Sequence, residues 1–326
     1  MASLFQSRQK NLLGMADNPI VSVIIPTYNC EVYIAETIDS VLSQTLGNLE
    51  LIVVDDGSTD RTCEIVASHG SQVRLLVQAN SGVCAARNYG IREAAGRYIC
   101  LMDHDDYWFP DKLALQLGQM EGHPEIGLVY SAFIWWHPDQ KGVFPDPAGF
   151  EPASFPPGID EEFSGWIYHL LLLDCWILTS AALIRAEVFD KCGAYNESLP
   201  YSEDWDLWLR ICREYQVIKL NKPLTLYRQH PKQGNRMARA IDYRTELLRD
   251  AAMKWGLCSR DGRCITKRQF TQNIARYQME FGLWHLASGN LKTANHSLLK
   301  AWLKHPVNLK TLAYVPAGLL GWRPKW

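Results

Sequence analysis

The chain has 326 residues, of which 47% are hydrophobic, and a formal net charge of −2. This composition supports a buried core for one large or two modest domains, and the scattered Lys and Arg residues argue against a nucleic-acid-binding protein. Nine cysteines without a C-x-x-C pair predict neither a zinc site nor a disulfide framework, and they favour a reducing cytoplasm.

The first half of the chain alternates short, β-rich apolar runs with stretches of helical pattern. The predicted strands are Val21–Ile25, Leu49–Val54, Val73–Gln78 and Tyr98–Met102. The predicted helices between them are Glu31–Gln44, Asp60–His69 and Gly82–Ala95. Such alternation predicts a parallel sheet covered by helices, with a ligand beyond the carboxyl ends of the strands.

Three polar clusters follow strands of this sheet, at residues 26–29, 55–60 and 103–106. The last of them, Asp103-His104-Asp105-Asp106, is an acidic run. Neighbouring carboxylates repel one another, and a hard divalent cation with oxygen ligands relieves that repulsion. Asp103 and Asp105 suit one cation because residues two apart in an extended stretch point the same way. A solvated acidic turn is the alternative interpretation.

The other two clusters contain residue types that suit a nucleotide. Helix capping explains residues 57–60, but it does not explain the two acids Asp55 and Asp56 directly after a buried strand. A carboxylate at that position can accept a hydrogen bond from a base N–H or a ribose hydroxyl. Tyr28 can stack on a nucleobase or simply pack against the protein. Arg87 can pair with a phosphate or with the strand-end acids, and an ordinary surface ion pair is the alternative.

The second half of the chain begins with a looser pattern. Gly127–Phe133 is a predicted strand, the Pro- and Gly-rich stretch Pro138–Gly158 is typical of a loop or lid, and Ser164–Asp174 has a helical pattern. One or two of five tryptophans are expected to stack on sugar rings, namely Trp135, Trp136, Trp166, Trp176 and Trp205.

A second acidic signal, Glu203 and Asp204, precedes the predicted core residues Leu207, Leu209 and Ile211. Acids at a helix N-terminus interact favourably with the helix dipole, which is one explanation for this pair. A carboxylate that faces a cleft from this position can instead act as a general base.

Together these residues resemble glycosyltransferase family 2, whose A-type fold joins a nucleotide-binding sheet to an acceptor-binding half. The resemblance covers about residues 19 to 235 and rests on five motifs in order, at 21–29, 55–60, 85–90, 103–106 and 203–204. It implies an inverting transferase that moves a sugar from a nucleotide-sugar donor, UDP-linked by first expectation, to a hydroxyl of a glycan or glycolipid. The resemblance also suggests a bacterial-type surface polysaccharide or glycolipid pathway as the setting.

The same resemblance implies roles for individual residues on the donor side. Pro26, Tyr28 and Asp56 frame the nucleoside, and Arg87 supports the nucleotide pocket. Asp103 and Asp105 form a metal-and-ribose pair, in which Asp105 is the direct ligand of Mn²⁺ or Mg²⁺.

On the acceptor side, Asp204 is the expected general base, and Glu203 either bonds the acceptor or orients the loop. In the segment 227–230, Arg228 or His230 is expected to add positive charge or a metal ligand near the diphosphate. The full Gln-x-x-Arg-Trp motif of the family is absent from this segment.

Three other classes of protein share parts of this pattern. A nucleotidyltransferase needs a glycine-rich, basic loop after the first strand, and a dinucleotide-dependent oxidoreductase needs G-x-G-x-x-G there. The chain has Pro-Thr-Tyr-Asn-Cys-Glu at that position. A non-catalytic nucleotide-sugar or glycan-binding module remains open, although such a module is expected to lose Asp204 or the Asp103 and Asp105 pair, and all three are present.

The C-terminal part has a helical pattern from Ala238 to Pro306, with a break at Ser288–Asn290 that resembles one tetratricopeptide hairpin. One such unit is too short for a solenoid, so a buttress or a partner-binding appendage is expected. The segment 311–326, which is apolar and uncharged from Thr311 to Trp322, is expected either to touch a bilayer interface or to fold back on the protein.

The predicted organisation is a tail (1–18), a catalytic domain (19–235, divided at 121) and a helical extension (236–326). No apolar run reaches the roughly 20 residues of a membrane helix, and the N-terminus does not resemble a secretory signal. The expected location is the cytoplasm or the inner face of the cell membrane.

Overall fold

The computed structural model describes residues 18–231, 233 and 239–305, together with 313, 314, 316, 322 and 324. The chain divides into two compact units. The first runs to Ile167 and resumes at Trp176–His230, and the second combines Tyr168–Cys175 with the chain from Pro231 onward. The segment Tyr168–Cys175 belongs to the second unit, whereas the sequence-based division assigned it to the catalytic domain.

The first unit contains an eight-stranded sheet. Its strands are β1 (Val21–Thr27), β2 (Leu49–Asp55), β3 (Arg74–Val77), β4 (Tyr98–Leu101), β5 (Tyr107–Trp108), β6 (Ile126–Trp136), β7 (Ala182–Arg185) and β8 (Gln216–Arg228). Their order in the sheet is β3-β2-β1-β4-β7-β6-β8-β5.

The helices of both units are α1 (Ile34–Leu42), α2 (Thr62–Ala67), α3 (Val83–Glu93), α4 (Lys112–Met120), α5 (Tyr168–Leu171), α6 (Glu187–Cys192), α7 (Glu203–Glu214), α8 (Tyr243–Trp255), α9 (Lys267–Ala287) and α10 (Leu291–Lys304). Short 3₁₀ turns occupy Gly70–Gln72, Pro147–Gly149, Pro152–Ser154 and Thr179–Ala181.

The predicted parallel half of the sheet is confirmed. β3, β2, β1 and β4 all pair in parallel, and every residue of β1 is buried. Parallel strands of this kind are apolar throughout because connecting helices cover both faces. β7 then pairs antiparallel with both β4 and β6, so the half of the sheet that follows the acidic run is mixed.

In the second half of the sheet, the local sequence pattern did not predict all of the strands and helices correctly. β8 was not predicted, because polar residues such as Lys219, Asn221 and Lys222 interrupt it. It forms because it pairs in parallel with β6, which extends beyond the predicted Gly127–Phe133. The predicted helix Ser164–Asp174 is largely wrong, since only Tyr168–Leu171 is helical.

One cysteine prediction is wrong as well. Cys258 and Cys264 form a disulfide, and the two residues also form an isolated antiparallel bridge. The remaining seven cysteines are not part of this disulfide. Their spacing in sequence does not reveal the pair, because the turn of the chain at Gly262 brings the two together. Disulfides are rare in a reducing cytoplasm, so this pair is at odds with the predicted compartment.

The second unit contains the predicted C-terminal helices. α9 begins with a capping box between Thr266 and Gln269, and Asn290 caps α10, so the predicted break at Ser288–Asn290 is confirmed. α9 runs from Lys267 to Ala287, directly up to that break. Gly282 permits close packing, because a Cβ there would lie 2.8 Å from Leu298 Cγ.

Membrane insertion of a helix is not supported in the described part of the chain, where none is both long and apolar enough to span a bilayer. Most of the predicted interfacial segment 311–326, and residues 1–17 of the predicted tail, lie outside the described residues.

Candidate functional site

The loops that follow β1 and β2 are joined side by side, as the sheet topology predicts. Thr59 N–H donates to Asn29 Oδ1 at 2.8 Å, and Asn29 N–H donates to Ser58 Oγ at 2.9 Å. Asn29 has φ +48°, a left-handed conformation that is unusual for a residue with a side chain. The hydrogen bonds across the loops offset the cost of that conformation and fix the start of the site.

Pro26 and Tyr28, two residues predicted to contact the nucleoside, lie at the C-terminal end of β1 and directly after it. Pro26 is buried within the strand, at a position where β1 still pairs with β2 but no longer with β4. Its missing N–H therefore leaves no gap in the sheet. The Tyr28 side chain is 45% exposed, and its backbone N–H approaches His104 Nδ1 at 3.4 Å. This contact brings the first cluster next to the acidic run.

Asp56 is buried and holds the loop that precedes α3. Its Oδ1 accepts from Gln78 Nε2 at 2.7 Å and from Ser81 N–H at 2.8 Å, and its Oδ2 accepts from Gly82 N–H at 2.8 Å. A carboxylate has about four acceptor positions. Three are used, so Asp56 can accept one further hydrogen bond.

Asp105 lies against His230, which comes from the chain directly after β8. Asp105 Oδ2 is 2.8 Å from His230 Nε2, and the Asp105 residue is buried. Burial by itself raises the pKa of a carboxyl, but the hydrogen bond with His230 and the nearby charge of His104 outweigh it and lower the pKa of Asp105. The carboxylate form is therefore favoured at this position.

Arg228 is buried beside the same carboxylate, next to the backbone of the acidic run. Its Nε donates to the carbonyl oxygen of Asp105, and its Nη2 bonds to Glu36. The guanidinium packs over the rings of Trp136 at 3.8 Å and Tyr33 at 4.5 Å. Arg228 therefore positions the backbone of the acidic run.

Arg87 joins the two acidic motifs. Its Nη2 donates to Asp103 Oδ1 at 2.7 Å, and its Nη1 donates to Glu203 Oε1 at 2.8 Å. Arg87 is 4% exposed, and its guanidinium lies 5.0 Å from the centre of the Tyr195 ring. Although burial opposes the charged form, Asp103, Tyr195 and Glu203 raise the pKa of Arg87 well above its usual range. Acids separated by 100 positions in sequence thus meet on one cation.

Asp204 stands beside this cation at the start of α7. The residue before the helix, Ser202, has φ +62°, and a left-handed residue here turns the chain sharply into the helix. Asp204 keeps a partly exposed edge, although protein atoms surround most of it. Burial first and the charge of Glu203 second, opposed by Arg87, raise the pKa of Asp204 to about 7. A carboxyl with such a pKa can take up and release a proton near neutral pH.

Three residues that support the acids were missed by sequence reasoning. Ser180 Oγ accepts from Asp103 N–H at 3.0 Å, and the Ser180 carbonyl accepts from Trp108 Nε1 at 2.7 Å. Asn88 Nδ2 donates to the Tyr195 carbonyl at 2.9 Å. Gly90 is required because a Cβ there would lie 2.3 Å from Ile24 Cγ2. Ser180 had no sequence signal, whereas Asn88 and Gly90 belong to a motif whose Arg87 alone was given a role.

An aromatic face lies on the sheet beside the acids and consists of Phe133, Trp135 and Tyr227. The Trp135 and Tyr227 ring centres are 5.1 Å apart, and Phe133 lies 5.5 Å from Trp135. Trp135 is 54% exposed. Burial and the charges of the acidic run raise the pKa of the Tyr227 hydroxyl, so this ring is close to those acids. Among the other candidates for stacking, Trp136 and Trp205 are buried and Trp176 is 40% exposed.

The described residues contain no group of three or more His, Cys, Asp or Glu side chains arranged around a common metal position. The two residues predicted to bind the metal have different partners. Asp105 faces His230, and Asp103 faces Arg87.

Comparison with known proteins shows similarity over most of the chain. The family model described as Glycosyl transferase family 2 matches residues 22–142. An uncharacterized glycosyltransferase of Rickettsia typhi, RT0329, is 32% identical over 232 residues, which is 68% of this chain and 67% of that protein. Other rickettsial relatives are longer, and the chain spans 31–35% of their length.

A relative with a named reaction is the UDP-Glc:alpha-D-GlcNAc-diphosphoundecaprenol beta-1,3-glucosyltransferase WfaP of Escherichia coli. It is 34% identical over 216 residues, which cover 65% of this chain and 78% of WfaP.

Among solved structures, Staphylococcus aureus TarS 1–349 in complex with UDP-GlcNAc aligns with a TM-score of 0.60 at 20% identity, over 91% of this chain and 90% of TarS 1–349. The mannosyltransferase PcManGT from Pyrobaculum calidifontis, in complex with GDP-Man and Mn²⁺, aligns with a TM-score of 0.51 at 21% identity, over 97% and 86% of the two chains. These likenesses confirm the A-type fold expected from sequence.

Proposed function

The chain belongs to glycosyltransferase family 2, and from this premise we propose that it transfers a sugar, with inversion, from a UDP-linked donor to a hydroxyl of a glycan or lipid-linked glycan. The observation that carries the proposal is the bridge formed by Arg87. It holds Asp103 of the acidic run and Glu203, the neighbour of Asp204, on one guanidinium. A donor site and a base for the acceptor thereby come together.

On the donor side, the proposed nucleoside contacts are Pro26, Tyr28 and Asp56. The exposed Tyr28 ring can stack on a base, and the unused acceptor position of Asp56 can receive a base N–H. Asp103, held by Arg87, is assigned to the ribose. The UDP assignment follows the names of WfaP and of the TarS complex, and the GDP-Man complex of PcManGT is the reason to test other nucleotides.

A divalent cation, Mn²⁺ or Mg²⁺, fits the side chains of Asp105 and His230. Carboxylate oxygen and imidazole nitrogen are suitable ligands for Mn²⁺, and the two groups converge at 2.8 Å. Two protein ligands suffice where substrate phosphates complete the coordination. When bound, the cation would neutralise charge on the departing diphosphate. Arg228 keeps the Asp105 backbone in place for this purpose.

On the acceptor side, Asp204 takes the proton from the attacking hydroxyl. The hydroxyl oxygen forms a bond to the anomeric carbon while the bond from that carbon to the diphosphate breaks, and the diphosphate leaves with the electron pair. Attack opposite the leaving group gives inversion. Glu203 neutralises Arg87 and keeps Asp204 beside the reaction centre.

The aromatic face is assigned to the acceptor. Sugar rings present an apolar surface that packs well on exposed aromatic rings. Trp135 and Tyr227 form such a surface next to the acids. We therefore propose that an acceptor sugar lies on Trp135.

Nucleotide binding tests this proposal directly. UDP and GDP are titrated into the protein by calorimetry, with and without Mn²⁺. We expect metal-dependent binding of one of them, and we expect Asp105→Asn to abolish the metal dependence because a carboxylate ligand is lost. Asp111→Asn makes the same change at an exposed position and should bind normally. Absence of nucleotide binding to the unmodified protein in either condition contradicts the proposal.

The pH dependence of turnover is expected to follow Asp204. At saturating Mn²⁺, activity should rise with pH through about 7, because only the carboxylate form accepts a proton and burial with Glu203 raises the pKa to that value. Glu203→Gln removes a negative charge, so the rise should move to lower pH. A rise that stays at the same pH in this variant excludes Asp204 as the titrating base.

The raised pKa of Asp204 also predicts a stability effect. The folded protein holds this proton more tightly than the unfolded chain, whose aspartates titrate near 3.9. The resulting stabilisation is complete below that value and is lost as the pH rises through about 7. Urea unfolding across this range, compared with Asp204→Asn, measures the difference.

Trp135→Ala is expected to raise the KM for acceptor while the affinity for nucleotide stays unchanged. Synthetic lipid-diphosphate sugars, chosen after the acceptor named for WfaP, serve as substrates. Trp176→Ala, which removes a comparably exposed tryptophan, is the control. If the two substitutions raise the KM for acceptor equally, the aromatic face is not the acceptor-binding surface.

A further inference from the structure

The part of the second unit between residues 239 and 305 is basic, although the whole chain is close to neutral. Residues 239–305 contain twelve Lys and Arg against five Asp and Glu, although the chain as a whole has a net charge of −2. Glu280 is the last acidic residue of the sequence. Every charged residue of the sequence after Glu280 is therefore basic, and such a charge pattern is complementary to an anionic partner.

One face of α10 combines these cations with exposed apolar side chains. The outward residues recur at helical spacing, and they are Lys292, His296, Leu299, Lys300 and Leu303. Leu299 is 48% exposed and Leu303 is 63% exposed, whereas Ala294, Leu298 and Ala301 on the opposite side are buried. We call this exposed surface the α10 face. Leucines flanked by lysines are typical of helices that lie in a membrane interface.

A basic cavity of about 370 Å³ lies in the same unit at the C-terminal end of α10, where that end meets the start of α9. Its lining contains no acid and consists of Lys267, Arg268, Thr271, Gln272, Lys304 and His305. Burial and the neighbouring charges of Arg249 and Lys300 lower the pKa of Lys304. The charges in this region therefore repel one another, and a bound anion would relieve that repulsion.

The position of two of these cations is unfavourable without an anion. Lys267 and Arg268 lie in the first turn of the 21-residue helix α9, where the helix dipole disfavours positive charge. Within the described part of the chain neither of them forms an ion pair, and neither do Lys292 and Lys300. Phosphate oxygens satisfy both the cations and the N-terminal backbone N–H groups of such a helix.

We propose that the α10 face and the adjoining basic cavity bind the surface of an anionic phospholipid bilayer. Leu299 and Leu303 enter the interface, Lys292 and Lys300 contact headgroup phosphates, and the cavity holds one headgroup. A protein partner with an acidic surface would match the charges but would leave the two leucines unexplained unless it also offered an apolar groove. The inference does not depend on the proposed transferase activity.

Vesicle co-sedimentation of the full chain tests the proposal. One set of vesicles is phosphatidylcholine alone, and in the other about a third of the lipid is anionic phosphatidylglycerol. We expect binding to the anionic vesicles only, weakened by added salt. The variant Lys292→Gln, Lys300→Gln and Lys304→Gln should bind on the order of 100-fold more weakly, because each basic residue near an anionic surface contributes roughly fivefold.

Two further variants separate the effect of total charge from the effects of the α10 lysines and leucines on vesicle binding. Lys141→Gln, Lys191→Gln and Lys222→Gln remove the same charge from the first unit and should bind like the unmodified protein. Leu299→Ser with Leu303→Ser keeps the charge and should lose at least tenfold in binding, since two buried leucines contribute to interfacial insertion. Thermal unfolding checks that each variant is folded.

Four results would overturn the proposal. The first is absence of binding to anionic vesicles, and the second is equal loss in the two lysine variants. The third is a dimeric mass in light scattering that falls to a monomer when Leu299 and Leu303 are replaced, without vesicle binding, which would identify a second copy of the chain as the partner. Competition by inorganic phosphate at constant ionic strength should be weak, and full competition would reduce the surface to a small-anion site.

Discussion

Asp204→Asn is expected to lower turnover by roughly 10²–10⁴-fold, the usual contribution of a positioned general base. The amide has nearly the same shape as the carboxylate but cannot accept the proton of the acceptor hydroxyl. Nucleotide binding should be unchanged, because the role proposed for Asp204 is toward the acceptor and not toward the nucleotide. Turnover is measured as release of nucleoside diphosphate in the presence of acceptor, and binding by calorimetry.

Asp206→Asn is the matched control for this substitution. Asp206 lies in the same first turn of α7, but its carboxylate pairs with Arg210 at 2.7 Å instead of facing the acids. We expect it to keep most of the activity. If Asp204→Asn retains more than about a tenth of the turnover, a loss smaller than a positioned base supplies, the base is another group and the proposed mechanism fails.

Arg87→Ala is expected to destabilise the protein by roughly 3–5 kcal/mol, the cost of removing one partner of a buried ion pair. Asp103 and Glu203 would both lose their cation, and their mutual repulsion with Asp204 would increase. Activity should fall as well, since the acids of the donor and acceptor sides would no longer be held together. Urea unfolding and turnover measure the two effects.

Three comparison variants show whether loss of the Arg87 bridge causes the drop in stability and activity. Arg74→Ala removes an arginine from an exposed pair with Glu93 and should cost about 0–1 kcal/mol. Arg87→Lys keeps the positive charge but cannot donate to both carboxylates as the guanidinium does, so we expect a loss of stability between those of Arg74→Ala and Arg87→Ala. Arg87→Met combined with Asp103→Asn and Glu203→Gln removes all three charges and should recover stability without activity. If Arg87→Ala costs no more than Arg74→Ala, the bridge has no structural role.

The parallel half of the sheet was predictable because its signals are local. Each parallel strand is a short apolar run, each helix has its own periodicity, and the polar clusters had to meet where the strand ends meet. The mixed half was not predictable in this way. β8 is a long strand with polar interruptions, and it exists because β6 offers it a partner. Pairing between distant segments leaves little trace in the pattern of either one.

By itself, then, the sequence determined the alternating sheet, the three clusters at its edge, the acids at the start of α7 and the family to which the chain belongs. Only the tertiary structure decided how these acids share charge. Asp105 pairs with His230, Arg87 joins Asp103 to Glu203, and Arg228 lies buried behind the site. Sequence spacing cannot give such partners, because pairing and pKa depend on distances and burial that exist only once the chain has folded.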